Sequence, residues 1–393
     1  MPGGVTYNSG MSLRILFLTN QASYHQMHFA RAMVAHLGAD NFRIVFHQPT
    51  SDARTEMGWR DEYEDRCILR WWQSDVERDE ALEWIDNADV VIQGRFPIGF
   101  VRARIRAGKL TFACQERLWK KTPTVWRRLS RLPHLIKNYY SVDRANYHFL
   151  AIGRYAAADL NNLGLFRGRS WRYGYFMHRP EVGIDRTPNA CLQLLWCARL
   201  SPVKQPYMAL EITRALLDGG RECHLTMIGD GELRTEVDAQ INQVGLRGHV
   251  TLTGWQTPEQ VIEHMRQADV FLMTSHHGEG WGMVVNEAMS NGCCVIASAE
   301  LGAAAWLIEH GQSGFLYHRN DYQPALERVL TLSPSGLAAM GRAAQQRMAN
   351  LWCAEVAAER TVALCEQLLS TDPAKATQLY TDGPCSPSTE SKR

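Results

Sequence analysis

Along most of the chain, short unbroken apolar runs alternate with longer stretches in which apolar residues recur every three or four positions. The runs 14–19, 42–46, 90–92, 110–114 and 148–152 are too short for amphipathic helices and read as strands buried on both faces. The stretch His25–Leu37 sets Met27, Phe29, Met33 and Val34 at helical spacing. Segment 51–85, acidic and rich in tryptophan, predicts no clear element, and 165–190 reads as a connection. A second series opens at 192–196. Its strands fall near 223–228, 249–253, 269–273 and 293–297, with helices near 204–217, 231–244 and 258–267. Helical segments follow at 322–331, 335–349 and 351–370. Buried strands alternating with helices predict an α/β protein built of two Rossmann-like, doubly wound domains, 1–183 and 184–370. The tail 371–393, rich in Thr, Pro, Ser and charge, is expected to be disordered.

Composition narrows the function classes. The 393 residues suffice for two cores, and a net charge of +1 excludes an overall electrostatic footprint for nucleic acid. Ten scattered cysteines contain no C-x-x-C pair, which argues against zinc and disulfides and for a reducing compartment. No apolar run reaches the ~20 residues that span a bilayer, and Ile15–Leu18 is too short for a signal-peptide core. A cytoplasmic location is expected, with the inner face of the membrane left open. Met11 is a candidate start for the folded region.

One segment departs from the neutral average. Residues 95–144 hold thirteen Lys or Arg against two acids, Glu116 and Asp143, with interleaved Trp119, Trp126, Tyr139 and Tyr140. From Val125 onward the apolar Val125, Leu129, Leu132, Leu135 and Ile136 fall near one helical face, and Arg127, Arg128 and Arg131 lie away from it. Pro133 is expected to interrupt that helix. The pattern fits either a solvated helix packed by its apolar stripe or peripheral contact with an anionic membrane.

The most informative stretch is 275–297. A strand-like run feeds a turn holding Gly278, Gly280 and Gly282, then a predicted helix at 281–291 and a second apolar run. Glu279 stands at the helix mouth and Glu287 about two turns inside. A carboxylate there would repel a bare phosphate, so Glu279 suits a neutral polyol such as a sugar, and Glu287 suits another pair of hydroxyls such as a ribose. A nucleotide sugar satisfies both. The plain alternative, two ordinary helix carboxylates, stays open on these residues alone.

The Glu-x7-Glu spacing within Glu279-Gly-Trp-Gly-Met-Val-Val-Asn-Glu287-Ala-Met-Ser-Asn-Gly292 closely resembles the donor motif of family 4 of the retaining glycosyltransferases, which have the GT-B fold. The likeness continues through Val295-Ile-Ala-Ser298, Gly302 and Gly311-Gln-Ser-Gly314-Phe-Leu. It implies two Rossmann-like domains facing a cleft, with the helix 351–370 crossing back to the first. It also implies donor contacts at Gly280, Trp281, Gly282, Met283, Val284 and Glu287. Upstream, Cys197-Ala-Arg199-Leu-Ser-Pro-Val-Lys204 resembles the family's G-R-L-x-x-x-K-G, so Arg199 and Lys204 are assigned to the diphosphate and, with Glu279, to catalysis. Ala198 and Gln205 stand where the family has glycines. Ile228-Gly229-Asp-Gly231 resembles a family turn, and Thr253-Gly254-Trp255 occupies the base position. No D-x-D pair occurs, so no metal or other cofactor is expected.

On the acceptor side the likeness is only architectural. The loop 20–25 lacks the family's glycine pair. His25, Glu116 and Arg117, with Lys120 and Lys121 nearby, are candidates for a glycan or lipid-linked acceptor. A GT-B epimerase or phosphorylase, or a catalytically silent sugar-binding module, remain the rival readings.

Overall fold

The structure, a computed structural model, describes residues 13–52, 55, 61–119, 125–183, 189–370 and 380–388. The chain divides into two units, Met1–His178 with Ala354–Arg393, and Arg179–Cys353. The helix Ala354–Leu369 therefore belongs to the first unit, where it lies against the helix Tyr24–Leu37. The expected start at Met11 lies outside the described residues.

The first unit is a seven-stranded sheet of β1 (Ile15–Thr19), β2 (Phe42–Phe46), β3 (Ile68–Arg70), β4 (Val90–Gln93), β5 (Thr111–Glu116), β6 (Tyr147–Ile152) and β7 (Ser170–Tyr173). Their order is β3-β2-β1-β4-β5-β6-β7, and every pairing is parallel. β1 and β6 are buried along their whole length, as their continuous apolar runs require.

Segment 51–85 holds more order than its composition predicts. It contains β3 and the helix Asp75–Asn87, started by Ser74, whose side chain accepts from the Glu77 N–H, with Asp75 and Glu77 in the first turn. That helix buries Ala81, Trp84 and Ile85. The guanidiniums of Arg14 and Arg43 lie over the Trp84 ring, 4.1 and 5.1 Å from its centroid. Its apolar face is narrow, so charge hides the period.

Two further expectations are corrected. The supposed connection contains β7, whose polar Ser-Trp-Arg-Tyr sequence disguises a strand. The helix Val125–Leu135 runs through Pro133 and continues as a π-helical turn, Ile136–Tyr140, a wider winding in which the usual ladder is already relaxed.

The tail is also more ordered than expected. Residues 380–388 run antiparallel along β7: Arg172 N donates to Ser386 O and Cys385 N to Arg172 O, both at 2.8 Å, and Ser388 N donates to Ser170 O. Arg172 pairs with Asp382 at 2.7 Å, and Cys385 and Ser386 are buried. An edge strand with free backbone groups supplies these bonds, which composition cannot reveal.

The second unit is a six-stranded parallel sheet of β8 (Leu192–Cys197), β9 (Cys223–Ile228), β10 (Val250–Gly254), β11 (Val270–Met273), β12 (Cys294–Ser298) and β13 (Gly314–Tyr317), ordered β10-β9-β8-β11-β12-β13. Its core joins Leu194, Trp196, Met227, Leu272, Ile296 and Phe315 of the sheet to Met208 and Ile212 of the helix Pro206–Asp218. The helix Pro258–Gln267 starts with a full capping box between Thr257 and Gln260. The predicted helix at 281–291 is shorter, Val284–Ser290, because Gly282 has φ +92 and keeps the preceding residues out of helical geometry.

Candidate active site

Both sheets reverse their strand order at their first strand, between β1 and β4 and between β8 and β11. At such a reversal the connections leave in opposite directions and open a crevice beyond the carboxyl ends of the strands. The candidate residues collect at the two crevices.

In the second unit the loop after β8 carries Arg199 and Lys204, and the loop after β11 carries Glu279. Lys204 Nζ donates to Glu279 Oε2, with the side chains 24% and 20% exposed. A pair half out of water is screened less by salt than a surface pair. The loops are tied by hydrogen bonds. Trp196 Nε1 donates to Thr274 Oγ1 at 2.8 Å, Thr274 Oγ1 donates to Lys204 O at 2.7 Å, and His276 N donates to Val203 O at 3.1 Å. His276 then accepts from the N–H of Gly278 on Nδ1 and from Glu279 N on its carbonyl. Lys204 ends a 3-10 turn, Pro202–Lys204, not a helix as expected. Gln205 takes the left-handed conformation, φ 48 and ψ 58, that a glycine would adopt without strain. The departure from the family glycine therefore leaves the backbone path intact.

Arg199 is exposed and makes no hydrogen bond or ion pair among the described residues, so its guanidinium is free to turn toward an anion. Glu287 lies in the first turn of Val284–Ser290. Burial, then the Glu287 carboxylate, push the Cys197 thiol up to about 12, with Lys204 acting the opposite way. Glu287, Lys204 and the end of β8 thus share one electrostatic neighbourhood, and Cys197 stays a thiol.

The turn 229–231 has a packing reason for its glycines. A Cβ on Gly229, at φ +124, would sit 2.0 Å from Ala198 O, and one on Gly231 would sit 2.4 Å from Leu200 O. The turn thereby holds the Arg199 loop from behind. Gly254 accepts from Gly229 N at 2.8 Å and so stands beside it. Gly280, Trp281 and Gly282 are buried, and Met283 and Val284 are half-buried. The Trp281 indole packs with Trp306 and Trp352 and donates to Asn286 Oδ1 at 2.8 Å. Its side chain faces the core, so a donor contact at this position rests on the backbone.

In the first unit a cavity of about 670 Å³ lies beyond β1, β4 and β5 and is lined by His25, Glu116 and Arg117 together. The His25 ring is 4.6 Å from that of Tyr175, and Tyr175 Oη donates to Glu116 Oε1 at 3.2 Å. Arg117 is held by buried Asp159 at 3.6 Å and lies over the Tyr155 ring. Lys120 and Lys121 lie outside the described residues. Among the described residues no cluster of three His, Cys, Asp or Glu is arranged to hold a metal ion.

Sequence reasoning missed Thr274, His276, Arg95 and Arg131. The first two position Lys204 and Glu279 through single hydrogen bonds that leave no spacing signal. Arg95 and Arg131 line the first-unit cavity, but in sequence they are two cations within a long basic run.

Residues 183–347 match the family model described as glycosyl transferases group 1. The amylovoran biosynthesis glycosyltransferase AmsK of Erwinia amylovora is 33% identical over 147 residues, 36% of each chain. WcaL of Escherichia coli K12, named for colanic acid biosynthesis, is 27% identical over 209 residues, 51% of each. The chain thus matches between about a third and half of the length of these relatives. Among solved structures, HepE of Anabaena in complex with UDP aligns with a TM-score of 0.62 at 16% identity, over 89% of this chain and 98% of that one. That likeness concerns the fold. With two parallel sheets in the doubly wound order, the chain has the GT-B fold, and its residues 183–347 are similar to the glycosyl transferases group 1 family.

Proposed function

We propose that this chain transfers a sugar from a nucleoside diphosphate sugar to a glycan or lipid-linked acceptor, in polysaccharide or glycoconjugate biosynthesis. The relatives named for amylovoran and colanic acid biosynthesis support the pathway class. The observation that carries the reading is the Lys204–Glu279 pair, with Arg199 on the same loop, at the strand reversal of the second sheet. An arriving donor replaces each partner of that pair. Its diphosphate takes Lys204 and Arg199, and its sugar hydroxyls take Glu279.

The reaction breaks the bond from the anomeric carbon to the diphosphate and forms one to an acceptor oxygen. The acceptor proton passes to the leaving phosphate, and configuration at the anomeric carbon is retained. Arg199 and Lys204 stabilise the charge that develops on the leaving diphosphate, so the reading requires no metal ion. Glu287 accepts from the ribose.

Peripheral membrane contact through 95–144 is part of the proposal. Leu132, Ile136 and Tyr140 are 44%, 50% and 42% exposed, and Arg131 and Lys137 beside them are exposed as well.

Calorimetry with nucleoside diphosphates tests the core of the reading. Arg199→Ala with Lys204→Ala should weaken binding about a hundredfold, from two charge-assisted contacts of ~1.5 kcal/mol each. Glu279→Ala should abolish transfer while the fold persists. Equal affinity in the double variant, or full activity without Glu279, would sink the assignment.

A further inference from the structure

The first-unit cavity has an unbalanced charge. Among the described residues, Arg95, Arg117 and Arg131 line it from three different elements, against a single lining carboxylate, Glu116. We propose that it receives an acceptor carrying a phosphate group close to the hydroxyl that is glycosylated, an inference resting on the transferase reading above.

The three arginines differ in how they are held. Arg117 is fixed by buried Asp159 and the Tyr155 ring. Arg95, exposed in the loop after β4, has no hydrogen bond or ion pair among the described residues. Arg131 makes one long contact, Nη1 to Leu118 O at 3.5 Å, and its guanidinium lies 5.8 Å from the Trp119 ring centroid. One anchored and two exposed guanidiniums suit a compact anion with several oxygens, which such forks grip bidentately. The local field is positive: burial first, then Arg131 and Lys137, lower the pKa of His134 on the same wall. Beside this basic side stands a hydroxyl-binding side. Glu116 and Gln115 accept from Tyr175 and Tyr139, and His25 and Tyr175 form an aromatic wall on which a sugar ring can lie. The volume of about 670 Å³ holds both parts.

The phosphate can belong to a soluble molecule or to a lipid headgroup, and one helix bears on the choice. Arg131, His134, Asn138 and Tyr139 line the cavity, and Leu132, Ile136 and Tyr140, spaced by four along the same segment, are exposed.

The test uses the full chain carrying Arg199→Ala and Lys204→Ala, so that phosphate probes report on the first unit alone. Inorganic pyrophosphate should still bind this variant in calorimetry. Adding Arg95→Ala and Arg131→Ala, both at exposed side chains, should weaken binding about tenfold per arginine with the melting temperature unchanged. No pyrophosphate binding, or binding indifferent to the two arginines, would overturn the proposal whether or not the donor site is correctly assigned. A second arm offers phosphatidylcholine vesicles doped with a long-chain isoprenyl phosphate or with the matching isoprenol. Phosphate-dependent co-sedimentation that Leu132→Gln with Ile136→Gln abolishes, while pyrophosphate binding survives, supports the site and assigns the phosphate to a lipid. Pyrophosphate binding without that co-sedimentation supports the site with a soluble acceptor.

Discussion

At the scale of single residues, the candidate donor loops depend on side chains whose absence matters as much as their presence. Gly229 and Gly231 let the backbone at Ala198 and Leu200 approach to distances no Cβ tolerates. Gly229→Ala should therefore cost about 2–4 kcal/mol through combined overpacking and strain at positive φ. It should also displace the Arg199–Lys204 loop. Urea unfolding and nucleoside diphosphate binding measured together check this, and a variant of unchanged stability would remove the packing explanation. Thr274 shows the complementary case. Its one hydroxyl accepts from Trp196 and donates to the Lys204 carbonyl, so a small buried side chain sets the position of the cation proposed to meet the donor diphosphate.

At the scale of elements, β6 and β7 join through a part-buried contact sensitive to protonation. Trp171 Nε1 donates to His148 Nδ1 at 3.2 Å, which requires an unprotonated Nδ1. Burial first, then Arg169, lower His148 from 6.5 to about 4. The unfolded chain binds this proton near pH 6.5 and the folded chain only near pH 4. The stabilisation is complete above about 6.5 and is lost as pH falls toward 4, up to about 3 kcal/mol. Denaturant unfolding across that window should show stability falling with acid in the native chain and a shallower fall in His148→Gln. Equal slopes would refute the assignment. The next element outward, the segment 380–388, covers β7 with backbone hydrogen bonds and so closes a sheet edge that would otherwise be open to pairing.

At the scale of the whole molecule, the chain divides into two units, each with its own sheet. A nucleoside diphosphate at about a hundred times its Kd adds ~2.7 kcal/mol to the unit that binds it. For a unit of this size the transition should rise by about 5–10 °C. Scanning calorimetry should show that rise in the native chain and its loss in the Arg199→Ala, Lys204→Ala variant. An equal rise in both proteins would contradict the donor-site assignment. No helix among the described residues is long and apolar enough to cross a membrane.

The sequence by itself determined the α/β class and most strands of both sheets, and its spacing singled out Glu279, Glu287, Arg199 and Lys204 as the candidate donor residues. Buried parallel strands need continuous apolar runs, and the donor loops need fixed spacings of glycine and charge; both are local patterns. Only the tertiary structure decided what long-range geometry controls. The Lys204–Glu279 pair joins residues 75 positions apart. The strand reversals that place both crevices arise from sheet order, and the cavity gathers Arg95, Arg117 and Arg131 from separate elements. β3, β7, β13 and the segment 380–388 escaped for the same reason. Edge strands are held by backbone hydrogen bonds from a neighbour, and those bonds impose no pattern on the side chains that a reader of the sequence sees.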